Sequence, residues 1–182
     1  MSSTTTTTEI TMTRKEYLAR MREYKKTLTH TIATTRFSGE TWAKNIECRK
    51  TINTACMYAC PVPISKKIPA DGLVFVIEMN NETNKIEGLG LIKNHAVCGK
   101  LNPHENMNYN RYIYLGGKHI SREEMTAEEK EVIRLLEALC FKGANHLKRG
   151  QGITAFPVKL LYKCSANLNL NEYIRGMFKS RM

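Results

Sequence analysis

The sequence has one aspartate, one tryptophan and no long hydrophobic run. The longest apolar run is Leu73–Ile77, which is far shorter than the roughly 18 residues that a membrane-spanning helix needs. The Thr-rich start has neither the basic nor the apolar region of a secretory signal. No GxxxxGK[ST] string occurs, so the sequence gives no support for P-loop nucleotide hydrolysis. We expect a soluble, intracellular protein in a reducing compartment, with no membrane partner.

Carboxylates give little support for catalysis. Asp71 is followed by Gly72 and is typical of a turn residue, and most glutamates fall on predicted helices. Acidic residues in a first helical turn are explained by the helix dipole. The sequence therefore predicts no catalytic carboxylate pair and no cofactor.

The six cysteines have three interpretations. Cys56 and Cys60 are spaced CxxxC, and His95 precedes Cys98 by three residues, so a zinc site is conceivable, but this spacing is looser than that of structural zinc sites. We expect reduced thiols that behave as small buried hydrophobic residues, and no metal. A Cys/His-dependent enzyme acting on nucleic acid, with Cys98 beside His95 or His119, is our third interpretation.

Charge gives the clearest functional indication. Lys and Arg number 28 against 17 Asp and Glu, a formal net charge of +11. Such a surplus favours an anionic partner, and nucleic acid is the first candidate. The apolar content of 42% and the charged content of 25% are those of a globular chain. We predict a disordered tail over 1–11 and a single domain over 12–182.

Hydrophobic periodicity predicts a mixed α+β chain. Two capping boxes, Thr13 to Glu16 and Thr126 to Glu129, predict helix starts. The predicted helices cover about 14–35, 40–51, 126–143 and 171–181, and the predicted strands cover 54–60, 72–79, 85–93, 111–115 and 153–158. The strand at 72–79 is expected to be buried on both faces. Gly88 and Gly90 within the next strand predict a bulge, a bend or a close approach to the backbone.

Aromatic residues interleaved with basic ones predict contacts to unpaired nucleic acid, because bases stack on rings while cations neutralise phosphates. The loop 146–152 joins basic side chains to Gly150 and Gly152, which permit a close approach of phosphate to the backbone. The first helix adds a basic face beside this loop. The candidate nucleic-acid contacts are Trp42, Lys44, Asn45, Arg49, Arg111, Tyr112, Tyr114, His146, Lys148, Arg149 and Gln151.

Two segments carry a family resemblance. The string Trp42-Ala-Lys-Asn45 with Cys48-Arg49, then Leu73–Ile77 and the glycine-containing strand Ile86–Ile92, resembles the PUA-like superfamily of PUA, ASCH, EVE and YTH domains over about 38–95. This resemblance implies a small, mostly antiparallel β-barrel flanked by helices, with RNA or a modified base bound between barrel and loops. Trp42 and Asn45 would lie near that pocket.

Departures from the superfamily pattern concern aromatic residues. The single tryptophan leaves the multi-aromatic cage of modified-base readers incomplete, unless Tyr112 or Tyr114 contributes. The stretch from Trp42 to Gly152 also resembles an uncharacterised family of nucleocytoplasmic large DNA viruses. That resemblance implies a location in the host cytoplasm or in the virion.

We therefore expect an α+β fold with a PUA-like barrel and a non-catalytic function in binding RNA or single-stranded nucleic acid, with RNA favoured over duplex DNA. Reading of a modified base is a narrower form of the same hypothesis. The alternative is a basic virion or assembly protein that contacts nucleic acid or an acidic partner without reading bases. The sequence does not define an oligomeric state.

Overall fold

A five-stranded mixed sheet forms the centre of the computed structural model, which describes residues 12–97 and 101–182. The predicted disordered tail and Cys98 lie outside the described residues. The helices are α1 (Arg14–Thr27), α2 (Gly39–Thr51), α3 (Ala127–Phe141), α4 (Val158–Cys164) and α5 (Leu170–Lys179). The strands are β1 (Thr31–Phe37), β2 (Cys56–Cys60), β3 (Leu73–Asn80), β4 (Lys85–Lys93), β5 (Tyr112–Gly116), β6 (Lys118–Ser121) and β7 (Thr154–Ala155).

The sheet is open, with strand order β6-β4-β3-β1-β7. Strands β1 and β3 are parallel, and the other neighbours are antiparallel. The α+β class is confirmed, but the described residues contain no closed barrel. The predicted barrel is wrong because β2 and β5 form a separate two-stranded sheet, leaving β6 and β7 as edges. None of the described helices has the length and apolarity needed to span a bilayer.

Two apolar layers cover the sheet. Phe75, Ile77 and Met79 of β3 pack towards α3, α4 and α5. The alternate residues Val74 and Val76 pack towards β2 and β5, with α2 at the side. This division follows from the period of two along a strand. The expectation that β3 is buried on both faces is confirmed.

The first predicted helix is too long. The helix ends at Thr27, and Thr31–Phe37 is strand β1, not a helical continuation. The segment from Thr27 to Thr35 is rich in β-branched residues, which favour extended structure, and Ile32 fits a period of two as well as one of four. Sequence periodicity therefore assigned the strand to the wrong element.

The remaining predicted elements are present except near the end, and strand β6 was not among the predicted strands. Both predicted capping boxes are present, at α1 and α3, and the hairpin of β3 and β4 is confirmed. The predicted strand at 153–158 is reduced to Thr154–Ala155, because Pro157 follows and is the N-cap residue of helix α4. Proline has a φ suited to the start of a helix and no N–H to donate to a strand.

Candidate functional site

A charged cluster lies buried beside the main sheet. Glu78 of β3 is on the same face as Val74 and Val76, and its side chain has no solvent exposure. Tyr58 Oη donates a hydrogen bond of 2.8 Å to Glu78 Oε1, and Arg49 forms an ion pair with the same carboxylate oxygen. His119 Nε2 lies 2.8 Å from the other oxygen, Oε2. We call Arg49, Tyr58, Glu78 and His119 the Glu78 cluster.

Two glycines of β4 make room for this cluster. A Cβ at Gly88 would lie 2.8 Å from both Glu78 Oε2 and His119 Nε2. A Cβ at Gly90 would lie 1.8 Å from Tyr58 Oη. The β3–β4 register also shifts next to Glu78, as in a β-bulge. The sequence expectation of a bulge or a close approach at these glycines is therefore confirmed, and what approaches is the polar cluster.

Opposing effects set the charge state of Glu78. Burial raises the pKa of its carboxyl group, but the hydrogen bond and charge of His119, with Arg49 and Tyr58, outweigh burial and hold the pKa below 4.5. Burial and the adjacent carboxylate raise the pKa of Tyr58 well above its ordinary value. At neutral pH the cluster therefore contains an ionised carboxylate and a neutral phenol.

The carboxylate determines which nitrogen of His119 carries a proton. An ionised carboxylate only accepts hydrogen bonds, so the 2.8 Å contact requires the proton on Nε2. Arg49 Nη1 lies 3.2 Å from His119 Nε2. Both nitrogens then carry protons, so they form no hydrogen bond with each other. Among the described residues, Nδ1 has no hydrogen-bond partner. Glu78 therefore orients the His119 ring by accepting the hydrogen bond from Nε2.

A cavity of about 480 Å³, which we call the Trp42 cavity, opens beside the Glu78 cluster. Its lining includes Trp42 and Lys50 of α2, Glu87 of β4, and His119 and Ser121 of β6. Trp42 is half-buried, packs edge-on against Phe37 and has the Arg49 guanidinium 5.1 Å from its ring centroid. These contacts fix the indole orientation while leaving part of the ring facing the cavity.

A second cavity of about 380 Å³ lies where the parallel strands β1 and β3 end. Its lining includes Phe37, Thr41 and Tyr109 with Gly150, Gln151 and Gly152 of the basic loop, and we call it the loop cavity. Gly150 and Gly152 both have positive φ, at 125° and 62°, so they supply backbone conformations that side chains disfavour. The Phe37–Trp42 pair joins the two cavities, because each ring lines one of them.

Three of the predicted contacts are used inside the protein. Asn45 is buried and donates a hydrogen bond of 2.7 Å from Nδ2 to the carbonyl of Met57. Tyr114 is buried, and its hydroxyl accepts from the backbone N–H of Ile64 at 2.9 Å. Arg49 is paired with Glu78. We therefore assign Asn45 and Tyr114 structural roles, and only Arg49 of the three lines the Trp42 cavity.

The other predicted contact residues differ in their exposure and in whether their charges are paired within the protein. Lys44 bonds both Glu40 and Glu105, so its charge is offset by two carboxylates. Arg111 and Arg149 are exposed, and neither forms an ion pair with another described residue. Lys148 and His146 are half-buried in the loop, where His146 Nδ1 accepts from the Lys148 N–H at 3.3 Å. Gln151 lines the loop cavity, and Tyr112 packs half-buried against the second core layer.

The cysteine interpretations have different outcomes. Burial raises the pKa of Cys56 to about 11 and those of Cys60 and Cys140 to about 12, so these thiols stay protonated at neutral pH. The proposed partner Cys98 lies outside the described residues. The five described cysteines are free thiols, and no group of three or more His, Cys, Asp or Glu within the described ranges could hold a metal.

Sequence reasoning missed the centre of the site. Glu78 and Tyr58 were not singled out, and His119 was considered only as a partner of cysteine. One signal was present: Glu78 is the only charged residue of β3 and follows its apolar run Leu73–Ile77, and two glycines follow on its hairpin partner. A carboxylate in a strand expected to be buried on both faces needs a buried partner.

Comparison with known proteins finds no matching family model, no matching curated protein and no matching solved structure. Function is therefore inferred from the chemistry of this chain.

Proposed function

We propose that this protein binds single-stranded nucleic acid, with RNA favoured over duplex DNA, and that one unpaired base enters the Trp42 cavity. The observation that carries the proposal is the position of the only tryptophan: its partly exposed ring lines a cavity of about 480 Å³. Stacking of a base on an aromatic ring contributes about 1–3 kcal/mol and requires the base to be unpaired.

The charges of the Trp42 cavity favour a base over a phosphate. Arg49 and Lys50 are matched by Glu87 and Glu123 in its lining, and Glu78 lies directly behind Arg49. A phosphate entering here would meet carboxylates that repel it. A neutral aromatic ring would instead replace water against the indole.

Phosphates would contact the surface around the basic loop. Arg149 and Arg111 are exposed, and Lys148 is positioned by the hydrogen bond of 3.0 Å that Asn81 Nδ2 donates to its carbonyl oxygen. The loop borders the loop cavity, which the Phe37–Trp42 pair joins to the Trp42 cavity. The net charge of +11 adds long-range attraction for a polyanion.

The resemblance to the PUA-like superfamily supports the same class of ligand. It rests on segments that include Trp42 and the β4 strand with Gly88 and Gly90. In that superfamily RNA or a modified base binds between barrel and loops, and we extend this to the open sheet and loops of the present chain as part of the proposal. Tyr109, an exposed ring that lines the loop cavity, would offer a second stacking position on the proposed strand path.

Binding is testable with the intrinsic fluorescence of Trp42. Because the chain has one tryptophan, its emission reports on the Trp42 cavity alone. We expect a single-stranded RNA 12-mer to quench and shift this emission, with an affinity that falls steeply as salt rises. Duplex DNA of equal length should bind more weakly and leave the emission unchanged. Equal binding of both ligands without quenching would instead support the basic packaging protein.

Charge-removing substitutions test the phosphate surface. We expect Arg149→Gln to weaken RNA binding and to reduce the slope of log affinity against log salt by about 1. The matched control is Arg134→Gln, which removes an exposed arginine of α3 that lines neither the Trp42 cavity nor the loop cavity. The control should bind like the unmodified protein. Equal losses in the two variants would show that net charge, and not the loop, determines binding.

A further inference from the structure

A third cavity, of about 530 Å³, lies where the parallel strands β1 and β3 begin, at the opposite end of these strands from the loop cavity. Its lining includes Leu28 after α1, Leu73 of β3 and Leu161 of α4, and we call it the Leu73 cavity. The volume lies within the roughly 300–1,000 Å³ of small-molecule sites. Among the described residues, none lines both this cavity and either of the other two. A ligand held here is therefore separate from the proposed nucleic acid.

The apolar part of the Leu73 cavity is recessed. Ile32, Phe156 and Leu161 line it, and each is only 3% exposed. Within 12–97 and 101–182, Leu73 is the only large exposed hydrophobic residue of the lining. A flat bilayer surface or a broad protein face cannot reach such a floor, whereas a narrow alkyl chain can enter and so be removed from water.

The titratable side chains of this lining are basic. Lys25 in the last turn of α1 and Lys67 in the loop before β3 are both exposed, and His30 lies between α1 and β1. No aspartate or glutamate of the described ranges lines the cavity. Neither lysine forms an ion pair with another described residue. The Leu73 cavity therefore presents unpaired positive charge beside apolar surface.

Two carboxylates adjacent to the lining have partners of their own. Glu172 accepts a hydrogen bond of 3.1 Å from the Thr29 hydroxyl and pairs with Arg175 at 2.9 Å. Asp71 Oδ1 lies 3.1 Å from His95 Nδ1. Neither carboxylate lines the cavity, so its rim keeps an excess of positive charge.

We propose that the Leu73 cavity binds a small amphipathic anion, an alkyl carboxylate. The alkyl chain packs against the recessed apolar residues, and the carboxylate lies at the rim, where Lys25 and Lys67 donate charge-assisted hydrogen bonds to it. Ser65 offers a further donor in the lining. Its hydroxyl oxygen accepts from the Lys67 N–H at 3.3 Å, and its own proton remains available to an anion.

The test titrates the protein at neutral pH with hexanoate, octanoate and decanoate, each below its micelle concentration, by isothermal titration calorimetry. Each added methylene should tighten binding by about fourfold until the cavity is full. Decylammonium has the chain length of decanoate and the opposite charge. We expect it to bind about tenfold more weakly than decanoate, because two lysines attract one head group and repel the other.

Three variants assign the binding to this cavity. Lys67→Gln should weaken decanoate binding several-fold and narrow its preference over decylammonium. Ala155→Leu adds volume at an exposed position of the edge strand β7 that lines the cavity, and it should weaken binding most for decanoate. Lys66→Gln removes the neighbouring exposed lysine, which is outside the lining, and is the matched control. The control should bind decanoate like the unmodified protein.

Several results would overturn this proposal. They are the absence of decanoate binding, equal affinities for decanoate and decylammonium, and decanoate binding that is unchanged in both Lys67→Gln and Ala155→Leu. Binding to vesicles of phosphatidylcholine with phosphatidylglycerol, but not to monomeric decanoate, would show a membrane-facing surface in place of a ligand cavity.

The outcome is independent of the proposed function. Trp42 does not line the Leu73 cavity, so decanoate should leave its emission unchanged. The RNA 12-mer should bind equally well with and without decanoate. Failure of decanoate to bind would therefore leave the proposal of nucleic-acid binding intact.

Discussion

Replacing Glu78 by glutamine is expected to destabilise the protein by about 3–5 kcal/mol. The substitution removes the charge that balances Arg49, whose side chain is 8% exposed, and so leaves a guanidinium without its counter-ion in the interior. The contacts of this guanidinium with the rings of Trp42 and Tyr58 compensate only in part. Thermal unfolding should show a loss of about 10 °C for a chain of this length.

Two further variants separate charge from packing. Glu131→Gln breaks an exposed ion pair with Arg134 and should change stability by less than about 1 kcal/mol. In the double variant Glu78→Leu with Arg49→Met, both charges are gone, and much of the stability should return. A single Glu78→Gln variant as stable as the unmodified protein would show that the buried ion pair contributes nothing to folding.

The dependence of this effect on pH follows from the pKa of Glu78. Because that pKa is lower in the folded than in the unfolded chain, the ionised carboxylate stabilises the fold above about pH 4.5. This contribution is lost as pH falls below 4.5 and through the folded-state pKa. The difference in unfolding free energy between the unmodified protein and Glu78→Gln should therefore shrink in acid. Other carboxyls affect both proteins equally and cancel in this difference.

Replacing Gly90 by alanine is expected to be nearly as damaging, at about 3 kcal/mol or more. The added Cβ would lie 1.8 Å from Tyr58 Oη and 2.9 Å from Tyr58 Cζ, and Tyr58 has only 1% exposure. The ring cannot move away without breaking its hydrogen bond to Glu78. Overpacking and the lost hydrogen bond add together, and denaturant unfolding measures the sum.

Gly176→Ala is the matched control for this prediction. Nothing lies within 4 Å of a Cβ at Gly176, which is an exposed position of helix α5. Alanine there should stabilise the protein by about 0.5–1 kcal/mol. Combining Gly90→Ala with Tyr58→Phe removes the hydroxyl that the methyl group meets, so the double variant should lose less than the sum of the single variants. Strict additivity would contradict the proposed collision.

Local patterns in the sequence were sufficient for most elements of this fold. Capping boxes defined the starts of α1 and α3, and the apolar run at Leu73–Ile77 defined the buried strand β3. The strand β1 was missed because it follows a helix directly and its residues satisfy both periods. Its parallel pairing with β3 is a long-range contact that no local pattern encodes.

Only the part of the candidate site that lies within one helix could be predicted from local patterns. Trp42 and Arg49 are seven positions apart and share one face of α2, so their proximity follows from helix geometry. Glu78 and His119 are 41 positions apart and meet only through the β3–β4–β6 pairing. The glycines marked where something approaches the backbone, but they could not identify the tyrosine, the carboxylate and the imidazole that do so.

The Glu78 cluster joins side chains of α2, β2, β3 and β6, so the cavity beside it exists only when all four segments are docked. The unfolded chain has no binding site for a small molecule that occupies this cavity. Its binding free energy therefore adds in full to the free energy of unfolding. At a concentration one hundred times its dissociation constant that gain is about 2.7 kcal/mol. A melting-temperature screen of single nucleosides would therefore detect an occupant of this cavity without a label and without prior assumptions about its identity.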